Sequence, residues 1–221
     1  EDSVAPAMKD EARVLVRNAL RSIDFKRSER MVRINQGERG LIDLDFIVPH
    51  NVHVILIPKA EDPEQVRQVD ARIDRIMSTG STPVPRGARS GGGGGETLPQ
   101  PLPAKEGGSS RRPFLMPIVE SARGAIKAYE IATASPNICA LTIGLEDYTA
   151  DIGTQRTSEG RESFWARCQV VNAARAAGIP PIDTVFSDIN DMDGLRASVL
   201  EDKGLGFEGK GCIHPRQIRP I

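Results

Sequence analysis

Two segments of this 221-residue chain place an acidic side chain where an apolar run stops: Met116-Pro-Ile-Val-Glu120-Ser and Ile143-Gly-Leu-Glu146-Asp147. Each reads as a strand that ends at a carboxylate and passes into a helix. In a parallel α/β barrel the carboxyl ends of the strands open onto one mouth, so Glu120 and Asp147 can converge there on one hard cation. Mg²⁺ fits that description, because it takes one or two protein carboxylates and keeps several waters. The same pattern also suits two helix caps, in which each carboxylate meets the amides of the helix it precedes. Spacing leaves both readings open. Glu146 and Asp151 lie alongside and read as capping or supporting groups.

Arg33, in Val-Arg-Ile-Asn, stands near the end of another strand. There its guanidinium fork can face the same mouth and hold a carboxylate or an enolate oxygen; a surface ion pair is the plainer alternative. Gly204-Leu-Gly206-Phe-Glu-Gly209-Lys210 matches GxGxxG and nearly matches a phosphate-binding loop. It follows a helix and leads into a strand, the reverse of a dinucleotide fold, and the residue after Lys210 is glycine rather than Ser or Thr. It reads instead as a backbone that lets a ligand come close, with Lys210 as a nearby cation. His50 and His53 span a loop and a strand start, not a helix that would align them as ligands.

These groups must be positioned by an alternation of strands and helices. The apolar positions predict a helix over 10–23 and strands over 30–35 and 52–58. A helix from Asp62-Pro63 follows, with Val66, Val69, Ile73 and Ile76 as its buried stripe. Strands follow at 114–119, 138–143, 182–186 and 209–213, with helices at 121–134, 159–177 and 192–203. Nearly continuous apolar strands separated by helices argue for a parallel sheet. Polar candidates at the ends of many strands favour a TIM (β/α)₈ barrel over an open doubly wound sheet. Six strands are legible where a closed barrel has about eight, so the first one or two would lie before Glu1. That first residue is not methionine and reads as the start of a fragment.

Residues 78–113 break the alternation. They contain Gly91 to Gly95 in a row, six prolines, five basic and two acidic residues, and no periodicity. They read as a disordered insertion dividing one barrel domain into 1–77 and 114–221. The segment is either a tolerated loop or a flexible arm for a partner. The net charge is −1 and aromatics make up 4%, which argues against a nucleic-acid partner. No run approaches a membrane span or a signal peptide. Three cysteines without a CxxC pair fit a reduced, cytoplasmic setting.

Taken in order, several segments resemble the citrate lyase β-subunit-like family of Mg²⁺-dependent aldolases and acyl-CoA lyases. They are Glu1-Asp2 with Lys9 and Arg13; Val32-Arg33-Ile-Asn35; and Leu56-Ile-Pro58-Lys59-Ala-Glu61. Pro117 to Ser121, Gly144 to Gly153 and Gly209 to Pro215 follow. The resemblance covers nearly everything outside 78–113. It implies a TIM barrel, often assembled as a trimer, with Mg²⁺ on Glu120 and Asp147 and Arg33 facing the reacting carbonyl. It also implies substrate contacts by Arg33 and Glu120, a last strand residue of Glu-Asp type at Glu1-Asp2, and a pantetheine arm near Lys9, Arg13 and Lys210. The implied activity is cleavage of a citryl-, malyl- or citramalyl-type 3-hydroxyacyl thioester of coenzyme A or acyl-carrier protein to an acetyl thioester and a 2-oxo acid. A malyl-thioester hydrolase, or a truncated non-catalytic subunit serving assembly or binding, is the alternative. The family's first strand and a C-terminal lid would lie beyond the two ends of this chain.

Overall fold

The computed structural model describes residues 4–79 and 111–221. Six parallel strands form a curled half-barrel in sequence order: β1 (Met31–Arg33), β2 (Val54–Ile57), β3 (Phe114–Val119), β4 (Leu141–Ile143), β5 (Pro181–Asp183) and β6 (Gly209–Lys210). Between them lie α2 (Gly37–Ile47), α3 (Pro63–Thr79), the short pair α4 (Ala122–Ile126) and α5 (Ala128–Ala132), α6 (Leu145–Asp151), α7 (Phe164–Ala177) and α8 (Met192–Leu205). α1 (Lys9–Ser22) precedes β1.

The register runs Arg33 to Leu56, Ile57 to Pro117, Val119 to Ile143 and Asp183 to Lys210. All six carboxyl ends therefore open on one side of the sheet, which is what a common site needs. The core is continuous under the helices. Leu44 and Ile47 of α2, Val66 and Ile73 of α3, Leu115, Ile131, Leu141 and Val170 are each no more than 2% exposed. The expected stripe of α3 is buried at Val66, Val69 and Ile73 and partly covered at Ile76. Its start is capped as the Asp62-Pro63 pair predicts. The Glu64 amide donates to Asp62 Oδ1 at 3.1 Å, and Lys127, 2.7 Å away, helps hold the Asp62 carboxyl down at about 2.

Several boundaries differ from the sequence reading. The strands are two to six residues long, most of them shorter than the apolar runs that marked them. Cys139 stands just before β4 rather than in it, and burial pushes its thiol up. The helix expected over 121–134 is broken into α4 and α5, with Ser121 capping the first through Gly124 N at 3.1 Å. The helix expected from Glu159 begins at Phe164, and it ends where expected, at Gly178 with φ +74°. Helix α2 was not anticipated. Of the segment 78–113, Ser78 and Thr79 complete α3, and Arg112 pairs with Asp70 and Asp74 of that helix. The rest of the segment, 80–110, and the Glu1-Asp2 pair lie outside the described residues. Among the described residues no helix is long and apolar enough to cross a membrane.

Within 204–211, Gly206 and Gly209 have packing roles. Gly206 ends α8 at φ +102°, and a Cβ on Gly209 would stand 2.8 Å from Ile182 Cδ1. The close approach they allow is that of β6 to β5.

At that sheet end is an ion cluster that spacing did not reveal. Lys210 Nζ donates to Asp202 Oδ2 at 2.7 Å and lies 3.3 Å from Asp183 Oδ2, while Arg167 of α7 reaches Asp183, Asp202 and Glu201. All but Glu201 have side chains no more than 5% exposed. Burial, and then the neighbouring Asp183 charge, push the Asp202 carboxyl up to about 6. A raised carboxyl pKa means that the folded protein holds the proton more tightly than the unfolded chain. The contribution of Asp202 is thus fullest below about pH 4 and falls as pH rises toward 6. Asp202→Asn should remove this slope: the thermal midpoint of the parent, measured relative to the variant, should decline between pH 4 and 6. A constant difference across that interval would contradict the assignment.

Candidate functional site

Glu120 is the first residue after β3, and its carboxylate is buried at 7% exposure in the mouth of the half-barrel. Two backbone features place it. The Lys59 amide, from the loop that follows β2, donates to its Oε2 at 2.9 Å. The Gly144 amide pairs with Val119 O at 2.9 Å, which brings the end of β4 against the Glu120 side chain. A Cβ on Gly144 would lie 2.6 Å from Glu120 Oε1, so only glycine leaves the carboxylate where it is. Gly144→Ala should therefore push Glu120 aside. Divalent-metal affinity measured by calorimetry is expected to fall at least tenfold, the scale of losing a group that orients a metal ligand; unchanged affinity would show that Glu120 does not need this position.

Asp147 does not end a strand. It lies in the first turn of α6, four residues past Ile143, with its side chain 45% exposed toward the mouth. Its Oδ1 is 3.1 Å from Lys59 Nζ. One residue thus touches both acids, by its amide on Glu120 and by its ammonium on Asp147. Lys59 adopts φ +46°, in the left-handed region. For a residue with a Cβ that costs on the order of 1–3 kcal/mol. The loop is over-determined: Ala60 N donates to Ile118 O at 2.9 Å, Gln65 Oε1 accepts from the amides of Glu61 and Asp62, and a Cβ on Gly124 would come within 2.5 Å of Ala60 O.

The donor chemistry fits a hard divalent cation. Two carboxylates, one just past β3 and one in the first turn of the helix after β4, lie on the side where the strands end, and a cationic group already stands against one of them. Among the described residues no three His, Cys, Asp or Glu side chains gather as a metal-binding group. An ion here would take two protein ligands and fill its shell with water or substrate oxygens, the usual habit of Mg²⁺.

Arg33 ends β1 at the same mouth and lines a cleft of about 100 Å³ with Lys9, Arg13, Asn35 and Asp43. That cleft is held by Asp43, 6% exposed, which accepts from Arg13 Nε at 2.6 Å and from the Asn35 amide and side chain at 2.7 Å each. Asn35 Oδ1 in turn accepts from Lys9 Nζ at 2.6 Å. Lys9 therefore reaches the strand end, whereas Arg13 is largely committed to Asp43. The close approach of α2 that brings Asp43 there depends on Gly40, where a Cβ would overlap Asn35 O at 1.9 Å. The Lys210 ammonium, at the end of β6, is engaged by Asp183 and Asp202. To meet a ligand it would have to leave two carboxylates.

The neighbouring acids serve as struts. Glu146 Oε1 accepts from Arg156 at 2.6 Å and from Ser187 at 2.9 Å, and Asp151 Oδ2 accepts from Ala122 N at 2.8 Å at the start of α4. Of the HxxH pair, His53 pairs with Glu29 and Arg30, and burial lowers the pKa of His50.

A family model described as HpcH/HpaI aldolase/citrate lyase matches residues 1–215. The citrate lyase subunit beta of Haemophilus influenzae is 36% identical over 220 residues, which cover 99% of this chain and 67% of that protein. The mitochondrial citramalyl-CoA lyase of Mus musculus is 30% identical over 233 residues, covering 100% of this chain and 61% of that protein. Among solved structures, a citrate lyase beta subunit from M. tuberculosis, complexed with oxaloacetate and magnesium, superposes with a TM-score of 0.70 at 26% identity, over 100% of this chain and 82% of that one. The chain spans about two thirds of the length of the curated relatives it matches.

Proposed function

Given that the chain belongs to the HpcH/HpaI aldolase/citrate lyase family, we propose that it carries the site of a Mg²⁺-dependent carbon–carbon lyase acting on a 3-hydroxyacyl thioester. The observation that supports this reading is the placement of Arg33, Glu120 and Asp147 at or just past the carboxyl ends of parallel strands, with Lys59 touching both acids. The half-barrel would be the larger part of a (β/α)₈ barrel, since β1 and β6 are left as open edges and a parallel sheet of this curl is completed by closure.

Glu120 and Asp147 would hold the Mg²⁺, which, when bound, supplies Lewis-acid stabilisation of oxygen on the 2-oxo-acid half of the substrate. The substrate's 3-hydroxyl loses its proton to a base, and the C2–C3 bond breaks. Its electron pair passes into the thioester, giving an enolate, while C3 becomes the carbonyl of the 2-oxo acid. Arg33 would face the thioester oxygen, where charge develops as that bond breaks, and a fixed guanidinium there favours the transition state over the ground state. Protonation of the enolate at C2 gives the acetyl thioester. Lys9, held at the strand end by Asn35, is the side chain best placed to meet the thioester's carrier arm from the β1 side. The relatives are named for citrate and for citramalyl-CoA, so the reaction type is proposed and the substrate is left at the level of its 3-hydroxyacyl core.

The test is to incubate the full-length protein containing this chain with citryl-, malyl- and citramalyl-CoA, coupling release of the 2-oxo acid to its reduction. Turnover of at least one thioester is expected, with loss on chelation and recovery with Mg²⁺. Turnover that ignores chelation, or none with any of the three, would overturn the proposal.

A further inference from the structure

We propose that Lys59 is the resident counter-cation of the carboxylate pair: its ammonium stands on Asp147 until a divalent ion displaces it, and this exchange sets the metal affinity of the site. The inference rests on the reading of Glu120 and Asp147 as metal ligands.

Three observations carry it. The first is contact: Lys59 bridges the two acids, amide to Glu120 at 2.9 Å and ammonium to Asp147 at 3.1 Å. The second is backbone conformation. The residue sits at φ +46°, where glycine would be free of strain. The third is exposure. The Lys59 and Asp147 side chains are 42% and 45% exposed, and an ion pair that wet adds little to stability. The strain therefore outweighs what the pair returns to the fold. A lysine kept at a position that favours glycine is accounted for by what its side chain does at the site.

The electrostatics give the direction. The Lys59 ammonium offsets the Asp147 charge while its amide holds Glu120, so both acids are tied to one residue before a metal arrives. An incoming dication must then displace one positive charge and settle beside it. Deleting the ammonium removes both the competitor and the repulsion, and the metal should bind more tightly.

The test is a titration of the protein with Mn²⁺ alone, free ion being followed by electron paramagnetic resonance, for the parent, Lys59→Gly, Lys59→Arg and Asp147→Asn. Lys59→Gly keeps the backbone conformation at no steric cost and removes the cation. It should tighten Mn²⁺ binding by about tenfold, the order expected for removing one charge a few ångströms from a partly exposed ion. Its thermal midpoint should stay level or rise. Lys59→Arg keeps the charge and should bind within about threefold of the parent, and Asp147→Asn should lose the site. Saturable binding that Asp147→Asn abolishes but Lys59→Gly leaves unchanged or weakens would overturn this inference alone. Absence of saturable binding in every protein would overturn the metal-site reading and the inference together.

Discussion

Replacing Asp147 by asparagine in the full-length protein is expected to cut Mg²⁺-dependent turnover by about 10³ or more, the several kcal/mol that a bound Lewis acid contributes. The same change should move the thermal midpoint by less than about 4 °C. The split follows from the position of the side chain. It is nearly half exposed, and its ion pair with Lys59 spans 3.1 Å of partly solvated space, so the fold loses little with the charge. Asparagine keeps the shape and one oxygen, which leaves the start of α6 intact. Glu120 is the contrasting case, because its buried carboxylate accepts the Lys59 amide and stands against Gly144, so changing it would disturb loop and ligand together. A steady-state assay paired with a melting curve on the Asp147 variant separates the two effects. Full activity with Asp147→Asn would remove it from the metal site.

The second large effect is expected at Arg33. Arg33→Ala should lower kcat by about 10²–10³, the typical loss on removing one donor to a developing oxyanion, with a much smaller rise in KM. Arg33→Lys keeps the charge and loses the planar fork, so it should also be impaired. The residue ends β1 beside Asn35, whose amide and side chain are pinned by Asp43, and the strand end that carries it is correspondingly fixed. A rise in KM with kcat unchanged would make Arg33 a uniform binding residue and not a stabiliser of the transition state.

Much of the fold was legible because a parallel sheet is written in apolar runs. All six strands overlap the segments expected from the sequence, although β5 begins one residue early, and both acids lie just past the runs that predicted them. What failed has physical reasons. Helix α2 carries buried Gly40, Leu44 and Ile47 at helical spacing, but Gly37, Gly40 and two aspartates interrupt the apolar signal. One of those aspartates, Asp43, is buried because it pins Asn35 and Arg13, a tertiary role that no local pattern announces. The cluster of Arg167, Asp183, Asp202 and Lys210 was hidden for the same reason, since partners 16 and 35 residues apart meet only after the sheet forms. Lys210 consequently read as a free cation near a ligand. Lys59 was visible only as a letter in a family segment. Its left-handed backbone and its two contacts come from the packing of Gly124, Gln65 and Ile118 around the loop.

Glu120 and Asp147 must share one ion for the site to work as proposed. A crystal structure of the full-length protein grown with Mn²⁺, measured at the manganese absorption edge, tests this most directly. One anomalous peak is expected between the two carboxylates, within about 2.3 Å of an oxygen of each, with Lys59 Nζ moved off Asp147. A peak elsewhere in the mouth, or none at saturating Mn²⁺ with the ammonium still seated on Asp147, would contradict it.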